Sequence, residues 1–299
     1  MKRTLLVLGS LVAIVAVGIV ILGLRSSGSA SSGRLNVVAA ENVYGDMASQ
    51  IGGSHVAVTS ILSDPNADPH LFEPGTANGL AVSRAKLVIQ NGVGYDAFMQ
   101  KLEDASPNSH RIVVTMADVL GVGGPGANPH LWYDVPRLDR IATAIAAGLE
   151  QADPAHTRSY QAGLRRFEAG LRPLTREVAS IRRAYAGRPV AYTEPVPAYL
   201  LDAAGLRNLT PESFARAIED GTDPSPQAVS AMTALFSQHR VRVLLYNSQT
   251  VSPITSQIKS DAQAAGIPVI GVSETLPRGM TFQQWQLSEA KALQRALAR

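Results

Sequence analysis

The sequence predicts an α/β protein of two lobes, each a mostly parallel sheet flanked by helices, joined by one long backbone helix. Three observations lead there. Apolar, β-branched runs of strand length alternate with segments of helical spacing along most of the chain. One central stretch, 153–185, keeps helical spacing with no strand inside it. The length of 299 residues suits two domains of about 100–150 residues better than one.

The expected strands before the central stretch are 35–40, 56–62, 86–90 and 111–115. Those after it are 188–193, 241–246 and 267–272. Groups of four and three fit two sheets better than one. Helical spacing covers 43–51, 76–84, 95–102 and 136–151 in the first half, and 198–204, 225–239 and 253–265 in the second. In the central stretch Leu164, Phe167, Leu171, Leu174, Val178, Ile181 and Tyr185 fall three to four apart among dense Arg and Glu. Only one stripe is therefore buried, as in a strut between two halves. Asp153 is expected to cap this helix with Pro154 at its first position, and Pro173 to kink it. The alternative is two shorter helices broken at Gly163 or Gly170. The resulting division is 1–34, an N-terminal signal or anchor helix with its tether; 35–152, the first lobe; 153–186, the linking helix; and 187–299, the second lobe.

Residues 1–34 read as an address. Lys2 and Arg3 precede an uncharged run, 5–24, closed by Arg25 and followed by a Ser/Gly stretch. A helix of that length spans about 30 Å, the thickness of a hydrocarbon core. It is expected to act as a retained anchor or a cleaved export signal, which places the rest outside the cytoplasmic membrane. No cysteine follows the run, and the chain has none. Lipid attachment, disulfides, thiolate metal ligation and a cysteine nucleophile are thus not expected. Without residues 1–34, 23 basic residues stand against 24 acidic ones, so no nucleic-acid footprint is expected.

Four short segments carry the chemistry. The first is Asp64-Pro-Asn-Ala-Asp-Pro-His70-Leu-Phe-Glu-Pro74, directly after an expected strand. The second is Ala127-Asn-Pro-His130-Leu-Trp-Tyr-Asp134. Both place proline just before a histidine, which stiffens the backbone there, and an aromatic residue two places after it. The remaining histidines (His55, His110, His156, His239) lack this setting and are expected to be solvated. In the third and fourth segments Glu194 and Glu274 each follow a strand. Ligands of open α/β sheets bind at the carboxyl ends of strands. Two imidazoles and two carboxylates make a nitrogen/oxygen site for a divalent ion: imidazole suits zinc and other transition metals, and carboxylate suits manganese. Two candidates come from each side of the strut, so the ion is expected between the lobes.

These segments resemble the metal-binding solute receptors of bacterial ABC importers for zinc and manganese, the cluster with a single long linking helix. The resemblance covers residues 35–299. It matches His70 (Asp-Pro-His) to the first ligand, His130 (Asn-Pro-His-Leu-Trp) to the second and Glu194 to the third. Glu274 stands where that family usually has aspartate. Asn91-Gly92 at a strand end and Tyr199 match as well. The resemblance implies a metal, Mn2+ or Zn2+, as transported ligand, an ABC permease as partner, membrane attachment through the N-terminal helix, and a monomer. Loop 117–128 has no histidine, unlike the His-rich loop of many zinc receptors. Asn247, at another strand end, is expected to support the ligands by hydrogen bonds. Rigid prolines and a strut suggest a pre-formed site with limited hinge motion. Histidine ligation predicts affinity falling below about pH 6. The alternatives are a zinc-dependent hydrolase, for which no H-E-x-x-H is present, and a surface adhesin with metal binding secondary.

Overall fold

The first strand, β1 (Leu35–Glu41), is covered on both faces. Val37 and Ala39 enter the main core, while Val38 and Ala40 enter a second cluster on the opposite face. Such doubly buried strands belong to parallel sheets clad by helices. The computed structural model describes residues 33–65 and 69–299, and Arg34–Arg299 forms one compact unit. The expected helix over 5–24 lies outside the described residues. Among the described residues no helix is long and apolar enough to cross a membrane.

After β1 come α1 (Asn42–Gly52), β2 (Val56–Leu62), α2 (Thr76–Arg84), β3 (Leu87–Gln90), α3 (Phe98–Asp104), β4 (Ile112–Thr115), α4 (Met116–Leu120) and α5 (Leu138–Ala152). The linking helix is α6 (Thr157–Tyr185). Beyond it lie β5 (Pro189–Tyr192), α7 (Ala198–Ala203), β6 (Arg207–Asn208), α8 (Glu212–Glu219), α9 (Pro226–Ser237), β7 (Leu244–Asn247), α10 (Pro253–Ala264), β8 (Val269–Val272) and α11 (Phe282–Leu297). The sheets run β2-β1-β3-β4 and β6-β5-β7-β8, and every recorded pairing is parallel. The two halves thus share one strand order. In each, the chain reverses direction of growth beside the central strand, which opens a crevice at the strand ends.

The two-residue β6 and helices α4, α8 and α11 escape the sequence pattern, the first three being too short for a periodicity to register. Helix α6 stays helical through Pro173 and both glycines, so the broken alternative is not what forms. Its buried stripe is Tyr160, Gly163, Phe167, Leu171, Leu174, Val178 and Ile181. Leu164 and Tyr185 are only partly covered. Gly163 is needed for close approach: a Cβ there would stand 2.0 Å from the Ile51 carbonyl oxygen of α1. Asp153 does not cap α6. A 3-10 turn (Pro154–His156) intervenes, and the Asp153 carboxylate accepts from Tyr160 at 2.6 Å and contacts His156 Nδ1 at 2.6 Å. His156 also stacks on His55, with centroids 3.9 Å apart. These two histidines are packed rather than simply solvated.

One apolar core runs through both halves. Ile51 of α1, Phe167 and Leu171 of α6, and Phe282 and Trp285 of α11 belong to the same cluster. Polar clamps reinforce the seam. Asn42 accepts from the Leu276 N–H (2.8 Å) and donates to its carbonyl (2.9 Å), and Asp46 accepts from the Phe282 N–H (2.8 Å).

Candidate metal centre

Each candidate side chain is placed by a chain segment leaving a sheet or by a short turn. His70 lies in a 3-10 turn, Pro69–Leu71, after β2. His130 precedes a 3-10 turn, Leu131–Tyr133. Glu194 follows β5, Asn247 ends β7 and Glu274 follows β8. The fold brings all of them together. His130 Nε2 stands 3.2 Å from Glu274 Oε2. His70 Nε2 stands 3.6 Å from Glu194 Oε1 and 4.0 Å from Glu274 Oε1. The side chains of His130, Glu194 and Glu274 are fully buried, and that of His70 is 22% exposed. The extra methylene of Glu274, relative to aspartate, therefore does not carry its carboxylate past the imidazoles.

A layer of donors and acceptors fixes these groups. The Asn128 amide nitrogen donates to the Pro195 carbonyl (2.9 Å), which leaves its oxygen as acceptor. That oxygen takes the His130 backbone N–H (3.0 Å) and lies 2.7 Å from His130 Nδ1. Nδ1 therefore carries a proton, and Nε2 is the atom turned to the carboxylates. Asn91, the residue of the Asn-Gly strand end, donates to the Pro129 carbonyl (2.8 Å) and accepts from Tyr44 (2.6 Å). The Asn247 amide donates to Glu274 Oε1 (2.7 Å) and, by a short bond, to Glu194 Oε2. It supports the carboxylates by hydrogen bonding, as expected. Gln249 Oε1 accepts the Glu274 backbone N–H (2.5 Å), and Tyr199 donates to the Asn128 carbonyl (3.0 Å).

Tyr95 is a participant that the sequence did not announce. Its hydroxyl donates to Glu274 Oε2 (2.9 Å), and its ring packs edge-on to both His70 and His130. It is aimed there by Gly92, Val93 and Gly94, all at positive φ. A β-branched residue at φ 57° is strained. The aromatic positions two after each histidine diverge. Trp132 packs on His130 (5.5 Å between centroids), whereas Phe72 packs on Phe98 (5.0 Å).

A third carboxylate also reaches this region. Glu219, the last residue of α8, offers a ligand atom within 4.8 Å of those of His70 and Glu194. It missed detection because α8 is short and Glu219-Asp220 reads as an ordinary acidic helix end.

The electrostatics divide the carboxylates. Burial raises Glu194, and the neighbouring Glu274 charge adds to it, pushing its carboxyl up to about 8. Burial opposes ionisation of Glu274 too, but His130, His70 and the Asn247 amide outweigh it and hold Glu274 below the usual carboxylate range. Burial likewise opposes charging of His130, and the carboxylates of Glu219, Glu274 and Glu194 overcome it, so its pKa lies above the ordinary histidine value. The cluster thus stabilises positive charge placed between its carboxylates.

Known proteins share this fold. A family model described as the periplasmic zinc-uptake complex component A (ZnuA) matches residues 37–296. The manganese-binding lipoprotein MntA of Halalkalibacterium halodurans is 25% identical over 224 residues, 70% of this chain and 73% of that one. The iron ABC transporter substrate-binding lipoprotein MtsA of Streptococcus pyogenes serotype M1 is 25% identical over 291 residues, 88% of this chain and 91% of that one. Among solved structures, the periplasmic zinc-binding protein TroA from Treponema pallidum superposes with a TM-score of 0.74 at 20% identity, covering 89% of this chain and 100% of that one.

Proposed function

Because the chain belongs to the family of the periplasmic zinc-uptake complex component A, whose members are substrate-binding proteins of metal transport rather than enzymes, we propose that it captures a divalent ion, Mn2+ or Zn2+, and delivers it to the permease of an ABC importer. The ligands in this reading are His70, His130, Glu194 and Glu274. The supporting observation is their convergence from opposite halves, together with the buried Glu194 Oε1, which has no hydrogen-bond partner among the described residues.

The ion is cargo, and the protein's task is to hold and release it. Capture displaces protons from Glu194 and His130, and the Nδ1–H to Asn128 keeps the His130 ring oriented meanwhile. Two carboxylates beside two imidazoles suit Mn2+ better than an all-histidine set would, and they also suit Zn2+. The way out leads past His70, the most exposed of the four. The rest of the site is tied into the seam between residues 35–152 and 187–299, which the linking segment 153–186 spans with α6 as its helix. In this reading the protein works outside the cytoplasmic membrane, anchored by residues 5–24 or freed by their cleavage, as a monomer.

The test is competitive titration of the metal-stripped full chain with Mn2+ and Zn2+ near pH 7.5. Tight binding that Glu274→Ala weakens supports the reading, and the competition ratio reports selectivity. Absence of binding to both ions overturns it.

A further inference from the structure

Glu219 belongs to none of the four positions just assigned, yet its carboxylate faces two of them. It lies on the wall of a cleft of about 1170 Å³ that His70, Tyr95 and Asn128 line from one half and Pro195, Arg216 and Glu219 from the other. The ligand atoms of His70, Glu194 and Glu219 fall within 4.8 Å of one another. Donors around a tetrahedral ion bonded at 2.0–2.2 Å stand about 3.4 Å apart, so side-chain rotations that move these atoms by about an ångström gather all three around one ion. Two oxygens of this group are buried and accept no hydrogen bond among the described residues: Glu194 Oε1, on a fully buried side chain and 3.6 Å from His70 Nε2, and Glu219 Oε2. Glu219 also terminates α8, where the helix dipole presents its negative end and favours a cation.

We propose that His70, Glu194 and Glu219 form an outer holding position for the divalent ion, on the route from the cleft to the buried ligands His130 and Glu274. This rests on the metal-receptor reading above and adds a residue and a step to it. His70 and Glu194 serve both positions. The ion therefore moves inward by exchanging one donor, Glu219, for two, His130 and Glu274, while two bonds persist. The exchange involves no change of oxidation state. It spares the ion from passing between cleft water and the dry interior without ligands. The same steps in reverse make Glu219 the last protein carboxylate an ion meets on leaving.

The experiment uses the metal-stripped full chain, Zn2+ as probe and a chromophoric chelator, read by stopped flow for association and for chelator-driven dissociation. Glu219→Gln, which preserves shape and removes charge, is expected to slow both association and dissociation about tenfold and to leave the dissociation constant within about threefold. A second pair isolates the outer position. His130→Ala/Glu274→Gln is expected to retain weak Zn2+ binding, and adding Glu219→Gln is expected to abolish it. Unchanged rates for Glu219→Gln overturn the proposal, as does a faster dissociation with unchanged association, which would make Glu219 a ligand of the final site. Both those outcomes leave the receptor reading standing. A failure of the unaltered chain to bind Zn2+ overturns both.

Discussion

The Tyr133 hydroxyl lies 2.7 Å from Glu289 Oε2 and also 2.7 Å from the Ser273 carbonyl oxygen. A phenol has one proton to donate. The carbonyl can only accept, so it takes that proton, and the contact with Glu289 is made by a proton on the carboxyl. Burial pushes Glu289 up to about 7, an effect its polar contacts with Tyr133, Trp285 and Ser273 only partly offset. Glu289 Oε1 accepts from Trp285 Nε1 (2.7 Å) and from the Ser273 N–H (3.2 Å). Tyr133 comes three residues after His130, and Ser273 immediately precedes Glu274. This buried carboxyl thus ties together the two segments that bring His130 and Glu274 face to face.

The tie gives a pH dependence of stability. Glu289 titrates higher in the folded chain than the ordinary 4.5, so its contribution is complete below about pH 4.5 and is lost as pH rises through 7. The interval corresponds to about 3 kcal/mol. Glu289→Gln supplies a permanent amide donor to the Tyr133 oxygen and keeps an acceptor for Trp285 and Ser273. The variant is expected to gain stability over the unaltered chain at pH 8 and to lose that advantage by pH 5. Urea unfolding at the two pH values measures this, and an equal difference at both would refute it.

Metal affinity is expected to decline with acidity from a higher pH than histidine ligation alone implies. A proton on Glu194, with its carboxyl near 8, competes with the ion. Below pH 8 each unit costs up to about tenfold in affinity, and protonation of His130, itself raised, steepens the loss. Competition titrations from pH 9 to 6 measure the slope. Calorimetry in buffers of different ionisation enthalpy counts the protons released, and zero release contradicts the scheme.

Asn247 touches both carboxylates at once. Asn247→Ala leaves them facing each other without the shared donor, and is expected to weaken Zn2+ binding about 10–100-fold. Glu274→Ala, which removes a proposed ligand, is expected to cost more than Asn247→Ala. The reverse order in the same competition assay would move Glu274 out of the ligand set.

Gly163→Ala places a methyl group 2.0 Å from the Ile51 carbonyl oxygen, and backbone cannot swing aside as a side chain can. A loss of about 3 kcal/mol is expected, read as a fall in Tm of roughly 10 °C. Gly187→Ala serves as a comparison: nothing crowds its Cβ, and its cost comes from φ 79° alone.

The parallel sheets and the helix between them were legible because their signals are long. The doubly apolar β1 and the stripe Phe167, Leu171, Leu174, Val178, Ile181 each repeat over several residues. The His70, His130, Glu194 and Glu274 cluster was legible through local context, each residue sitting beside proline or a strand end. Tyr95 and Glu219 were not, because their roles depend on what faces them across the seam: Glu274 is far from Tyr95 in sequence, and His70 is far from Glu219. The same holds for Asp153, whose partners Tyr160 and His156 replaced the helix N–H groups it was expected to cap. Side-chain choices among several nearby partners leave no periodic trace.

The repeated strand order has a thermodynamic consequence. With the proposed ligands, each half supplies one pair of donors, so neither half by itself is more than a weak two-point chelator. A bound ion then acts as a rivet through the seam, and its binding energy is felt only when both halves are folded and in register. At a free-ion concentration a thousandfold above the dissociation constant, that rivet adds about 4 kcal/mol to the folded state. The melting temperature of this cysteine-free chain would then serve as a gauge of the metal around it.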